Sequence, residues 1–84
     1  MKAFVYVTLK PSVLDPQGNA VRHALHSLGY REVEDVRVGK MIEIALKGSD
    51  RDALSGRVEA MCRTLLANTV IESYRFEMVE EERS

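Results

Sequence analysis

The stretch Glu32-Val33-Glu34-Asp35-Val36-Arg37-Val38-Gly39-Lys40-Met41-Ile42-Glu43-Ile44-Ala45-Leu46-Lys47 decides how many strands this chain puts into a sheet. Apolar residues recur at every second position on both sides of Gly39-Lys40: Val36 and Val38 before it, Ile42, Ile44 and Leu46 after it. Period two with β-branched side chains reads as extended chain, and a glycine-bearing break between two such runs reads as a turn. A two-residue turn at Gly39-Lys40 would set Val38 opposite Met41 and Arg37 opposite Ile42. That would throw the valines onto the face opposite the isoleucines. An odd-length or bulged turn restores Val36 beside Ile42, and this register is the expectation. The stretch is then a hairpin of two strands.

Working outward, residues 3–9 alternate Ala3, Val5, Val7 and Leu9 with Phe4, Tyr6 and Thr8. That is a strand apolar on both faces, and Pro11 ends it because proline brings no N–H to a ladder. Asp15-Pro16 opens a helix over 16–28, with a capping oxygen followed by proline at the first helical position. Ala20, Val21, Ala24, Leu25 and Leu28 recur at helical spacing, and Gly29 fits the C-terminal cap. Gly18 weakens the first turn unless something must approach closely there. Downstream, Gly48-Ser49-Asp50 break the chain and cap a second helix over 51–67. Its apolar stripe is Leu54, Val58, Met61, Cys62, Leu65 and Leu66, and Asn68 is the left-handed terminator. Ile71 to Val79 alternates Tyr74, Phe76 and Met78 against Ser73, Arg75 and Glu77, a fourth strand. The tail 80–84 reads as frayed. Strand, helix, strand, strand, helix, strand predicts an α+β, ferredoxin-like βαββαβ plait over residues 1–84: a single domain with a four-stranded antiparallel sheet and both helices on one face.

Eighty-four residues make a small core. Burial of apolar surface contributes on the order of 130 kcal/mol, and ordering the chain costs about 126 kcal/mol. Association with another chain is the natural source of further stability. Twelve basic against thirteen acidic residues give a net charge of −1, which argues against a dedicated nucleic-acid binder. One cysteine makes no internal disulfide, so nothing points to an oxidising compartment. The apolar start ends at Lys10-Pro11, too soon for a signal peptide or a span, so the cytoplasm is the expected location.

A two-layer plait leaves one sheet face without cover. With Val5, Val7 and Leu9 turned to the helices, Phe4, Tyr6, Met41 and Ala45 face outward as a candidate self-association surface. Catalytic chemistry is not legible. Cys62 sits on an apolar stripe, His23 and His26 lack a third ligand for zinc, and Gly39-Lys40 is not a phosphate loop. Lys10, Asp15, Gln17 and Asn19 cluster around the first loop, where only the Asp15-Pro16 cap has a nameable mechanism.

Three stretches then become recognisable: Leu9-Lys10-Pro11-Ser12-Val13-Leu14-Asp15-Pro16-Gln17-Gly18, Val36-Arg37-Val38-Gly39-Lys40, and Leu65-Leu66-Ala67-Asn68-Thr69-Val70-Ile71-Glu72. They resemble the PurS family, the small subunit of bacterial phosphoribosylformylglycinamidine (FGAM) synthase in purine biosynthesis, over about residues 2–79. Thr69 departs from the family, which usually has proline there. The resemblance implies a complex that converts formylglycinamide ribonucleotide, glutamine and ATP into FGAM, glutamate, ADP and phosphate. In it a glutaminase, PurQ, releases ammonia and a synthetase, PurL, uses Mg-ATP. A PurS subunit would bring the two together as a dimer or tetramer and assist ammonia transfer, with no catalytic residue, cofactor or metal of its own. Lys10, Asp15, Gln17, Gly18, Arg37, Gly39, Lys40, Asn68 and Glu72 become candidates for contact with the large subunits. A different class of reading, a small-molecule sensor of the ACT type, shares the expected topology.

Overall fold

The computed structural model describes residues 1–80; residues 81–84, and with them most of the expected frayed tail, lie outside the described residues. The elements are β1 (Lys2–Leu9), α1 (Pro16–Ser27), β2 (Gly39–Ala45), α2 (Arg51–Met61) running into a π-helical turn (Cys62–Leu66), and β3 (Glu72–Val79). The α+β class holds, but the antiparallel sheet has three strands in the order β2-β1-β3. What is missing from the expected plait is the edge strand that would have lain beside β2.

Residues 32–47 show why. Gly39 and Lys40 are not a turn: they open β2, opposite Thr8 and Val7. Residues 32–38 stay outside the sheet, held at Val33, Arg37 and Val38 by bonds to other parts of the chain. The Val38 N–H donates to Asp15 Oδ2 at 2.7 Å, and Arg37 Nη2 donates to the carbonyls of Leu9, Lys10 and Val13 at 3.3, 2.8 and 3.2 Å. The Val33 N–H turns back to the Tyr30 carbonyl. A segment so pinned to the β1–α1 loop does not form a ladder, and the expected pairing of Val36 with Ile42 is absent.

β1 is central, with Val5 between Ile42 and Phe76 and Ala3 between Ile44 and Met78. Ala3, Val5 and Val7 are buried with Val58 and Cys62 of the second helical segment and with Ala67, and the β2 and β3 residues pack around them. β2 and β3 are both antiparallel to β1, so α2 must cross over β1 to join them, which carries Val58 and Cys62 onto its inward face.

The second helix differs from a uniform 51–67 element. Its last turn widens, with the Ala67 N–H reaching back five residues to the Cys62 carbonyl at 3.0 Å, while Thr64 Oγ1 donates to the Ala60 carbonyl. A five-residue turn advances the helix face by less than an α-turn. Leu66 and Ala67 therefore face the core, and Leu65, expected on the stripe, is 82% exposed. Asn68 is not left-handed, since among the described residues only Gly29 and Gly48 have positive φ. Asn68 ends the turn through its side chain, Oδ1 accepting from the Val70 N–H at 3.1 Å.

α1 begins as expected, with Asp15 as its cap and Pro16 at the first position, and ends at Gly29 with φ +101°. Its apolar stripe, however, does not join the core. Gly18 is its buried residue, Val21 is 43% exposed and Leu28 74%. The Cα radius of gyration is 16.5 Å, against about 12 Å for a compact chain of this length. The shape follows from the topology: β1 and β2 are antiparallel neighbours, so nothing forces their connection across the sheet.

Candidate functional site

Nine candidate contact residues, scattered from Lys10 to Glu72, gather at one corner of the sheet, where β1 ends and β2 and β3 begin. Asp15 is the hub. Its Oδ1 accepts from the Gly18 N–H at 2.9 Å, capping α1, and its Oδ2 accepts from Val38. These two N–H groups, Gly18 first, hold its carboxyl below the usual carboxylate range, with the Arg37 guanidinium adding to them against partial burial. Gly18 is required by contact: a Cβ there would collide with the Val36 carbonyl and the Asp15 carboxylate. Gly39 is required in the same way, since a Cβ would meet the Val7 carbonyl and Thr8 Cγ2.

The β3 side closes through a reciprocal pair. Glu72 Oε1 accepts from the Asn68 N–H at 2.7 Å, and the Glu72 N–H donates to the Asn68 carbonyl at 2.7 Å. The Lys10 N–H donates to the Ile71 carbonyl at 2.8 Å, tying the end of β1 to the start of β3. Between these clamps lies a cleft of about 250 Å³ lined by Val7, Leu9, Asp15, Gln17, Val38, Gly39, Lys40 and Glu72.

The corner thus divides its residues into two groups. Asp15, Gly18, Arg37, Gly39, Asn68 and Glu72 have structural work inside the chain. Among the described residues, the side chains of Lys10, Gln17 and Lys40 take no intrachain hydrogen bond or ion pair. The Arg37 clamp and the Asp15–Val38 bond were not legible in the sequence, because a Val-x-Val pattern signals a strand regardless of what the arginine between them reaches.

The open sheet face carries Phe4, Tyr6, Met41 and Ala45 together, with Tyr6 opposite Met41 and Phe4 opposite Glu43. It is less apolar than its aromatics suggest. Lys2 pairs with Glu43 at 2.7 Å, Arg75 with Glu77 at 3.3 Å, and the Arg75 guanidinium lies 4.1 Å from the Tyr6 ring centroid. Met41 is 56% exposed and Phe4 and Tyr6 are half-buried.

Elsewhere the side chains read as structure. Burial pushes the Cys62 thiol up, with the Glu59 carboxylate adding to it. The Tyr74 hydroxyl donates to Glu59 Oε1 at 2.6 Å, which pushes the phenol up. His26 Nε2 donates to the Val33 carbonyl at 2.7 Å and ties α1 to the loop after it. Among the described residues no cluster of three metal-ligating side chains occurs, and no helix is long and apolar enough to cross a membrane.

The profile of the family described as PurS, phosphoribosylformylglycinamidine (FGAM) synthase, matches residues 2–80. The chain belongs to the PurS family. Subunit PurS of phosphoribosylformylglycinamidine synthase from Bacillus subtilis (strain 168) is 62% identical over 79 residues, covering 94% of this chain and 93% of the relative. A B. subtilis PurS crystal structure superposes with a TM-score of 0.81, covering 94% of this chain and 98% of that one. PurS from Methanocaldococcus jannaschii gives a TM-score of 0.85 at 38% identity, covering 96% and 98%. A chain in the structure of PurLQS from Thermotoga maritima gives 0.80 at 26% identity, covering 90% and 94%. In this PurS chain, the three stretches that carry the family resemblance meet at the corner around Asp15.

Proposed function

We propose that this chain is the assembly subunit of an FGAM synthase complex in purine biosynthesis. It joins a PurL-type synthetase to a PurQ-type glutaminase, assists passage of ammonia between them, and supplies no catalytic residue, cofactor or metal. Mg-ATP and glutamine are bound by the large subunits. The observation that carries the reading is the corner itself. Its polar residues hold the chain's own loops rigid and leave Lys10, Gln17 and Lys40 presented on a fixed scaffold, the arrangement a docking surface requires. The T. maritima relative within PurLQS supports the same reading. The chain also associates with copies of itself, the open sheet face of Phe4, Tyr6, Met41 and Ala45 being one seat.

Reconstitution tests it. Synthetase and glutaminase from the same organism should show little glutamine-dependent FGAM synthesis until this chain is added, while synthesis from free ammonia should depend on it far less. Equal glutamine-dependent rates with and without it reject the assembly role. Tight binding of a free amino acid to the isolated chain by calorimetry would favour the sensor reading instead.

A further inference from the structure

The open face of the sheet ends at Thr8 in a second cleft. Thr8 and Ser73 stand directly opposite each other in the β1–β3 register, which sets their Cβ atoms about 5 Å apart on one face. Together with Leu9, Pro11, Asp35 and Arg37 they line a space of about 540 Å³. A shallower hollow of about 140 Å³ continues from the same two residues toward Tyr6 and Arg75. The cleft beside Asp15 is lined by Val7 instead. Successive side chains of a strand point to opposite faces, so the two clefts open on opposite sides of β1.

The polar groups here are mostly donors. Arg37 uses one nitrogen, Nη2, to hold the carbonyls of Leu9, Lys10 and Val13. Among the described residues its Nε and Nη1, and the hydroxyls of Thr8 and Ser73, make no hydrogen bond. A planar carboxylate is satisfied by one guanidinium fork. A phosphoryl group carries three acceptor oxygens and engages two hydroxyls as well. Arg75 stands one rung along β3, held by an exposed pair with Glu77 at 3.3 Å, and such pairs are weak enough to rearrange. Asp35 is the exception in the cleft. Its carboxylate repels an anion but accepts from a hydroxyl, as acidic side chains do from ribose. An anion held at one end and a hydroxyl at the other describe a sugar phosphate. The volume lies within the roughly 300–1,000 Å³ of small-molecule sites.

We propose that the Thr8–Ser73 cleft binds the phosphate monoester of a sugar. The phosphoryl oxygens accept from the Thr8 and Ser73 hydroxyls and from the Arg37 guanidinium, and a sugar hydroxyl donates to the Asp35 carboxylate. Arg37 also clamps the β1–α1 loop, so an occupied cleft steadies the loop that carries Lys10.

Amide NMR titrations of the full-length chain test the site. Ribose 5-phosphate should shift the amides of Thr8, Asp35, Arg37 and Ser73 in a saturable way, inorganic phosphate should do so more weakly, and ribose should shift none of them. Thr8→Val/Ser73→Ala should weaken binding of ribose 5-phosphate about tenfold, as loss of hydrogen bonds to a charged group requires, with Tm unchanged. Asp35→Ala should erase most of the preference for ribose 5-phosphate over inorganic phosphate, because repulsion of the phosphoryl group cancels in that ratio and the sugar contact does not. Inorganic phosphate bound as tightly as ribose 5-phosphate by the parent chain overturns the sugar-phosphate assignment. Equal affinity of the parent and Thr8→Val/Ser73→Ala overturns the site, as does a shift map centred on Lys10 and Lys40, the mark of unspecific anion attraction. No shift at about 10 mM, beyond the weak end of the affinity scale, overturns it too. These readouts involve neither the synthetase nor the glutaminase, so the assembly role stands or falls separately, by reconstitution.

Discussion

Asp15 accepts two backbone N–H groups from different parts of the chain, the first turn of α1 and the residue before β2. Its acidity makes this a pH-dependent clamp. The folded pKa lies below the unfolded one, so between them the unfolded chain binds the extra proton and stability falls as pH falls. The contribution is complete above the unfolded value, near ~3.9 for an aspartate, and fades as pH drops through the folded value. Asp15→Asn places an amide donor against the N–H groups and should lower Tm by several degrees at neutral pH. Thermal melts should show that gap narrowing on acidification below the unfolded value, and a gap independent of pH would sink the clamp. Lys10 and Lys40 behave oppositely. Lys10→Ala/Lys40→Ala should leave Tm unchanged while weakening capture of this chain by the synthetase–glutaminase pair, read by surface plasmon resonance. Unaltered capture would remove them from the docking surface. Cys62 is fully buried with its thiol pushed up, and nucleophilicity requires an accessible thiolate. Its reaction with a disulfide reagent should therefore be slow in the native protein and fast in denaturant. Rapid native labelling would mean the π-helical turn opens readily.

At the scale of elements, local sequence carries most of the secondary structure. β1, both helix starts and β3 are set by neighbours within a few residues: alternation in 3–9 and 71–79, and aspartate caps at 15 and 50. The close approach that a glycine at position 18 signals is that of the Val36 carbonyl. The failures are long-range. Val36 and Val38 alternate like strand residues, yet Asp15 and Arg37 draw that segment onto a loop more than twenty residues away. No periodicity reports a bond of that span. Leu65 was misplaced for a subtler reason: helical spacing presumes 3.6 residues per turn throughout, and one wide turn after Met61 breaks the count. Denaturant melts of two variants should expose the difference. Val58→Ala removes two methyl groups from a fully buried position and should cost about 2–3 kcal/mol. Leu65→Ser, at an exposed position, should fall within about 0.5 kcal/mol of the parent. Equal costs would mean that Leu65 is covered in solution.

For the whole molecule, burial and chain entropy nearly cancel, and the protomer is more extended and more exposed than its length warrants. A chain in that condition draws part of its folding free energy from association, and mass action makes that part visible. If folded chains dissociate only as they unfold, diluting the protein tenfold removes about 1.4 kcal/mol per dimer. Two 84-residue chains unfold with an entropy of about 0.35 kcal/mol per kelvin, so Tm should fall by about 4 °C for each tenfold dilution. Calorimetry or intrinsic tyrosine fluorescence over a hundredfold concentration range reads this without any variant. The slope discriminates as well as the sign. A protomer completed by a second copy gives the full shift, while one that folds alone and associates weakly gives a Tm that levels off at the lower concentrations. A Tm flat across the range would show that the exposed stripe of α1 and the half-covered face of β2 are stable in water, and that the missing stability lies within the single chain.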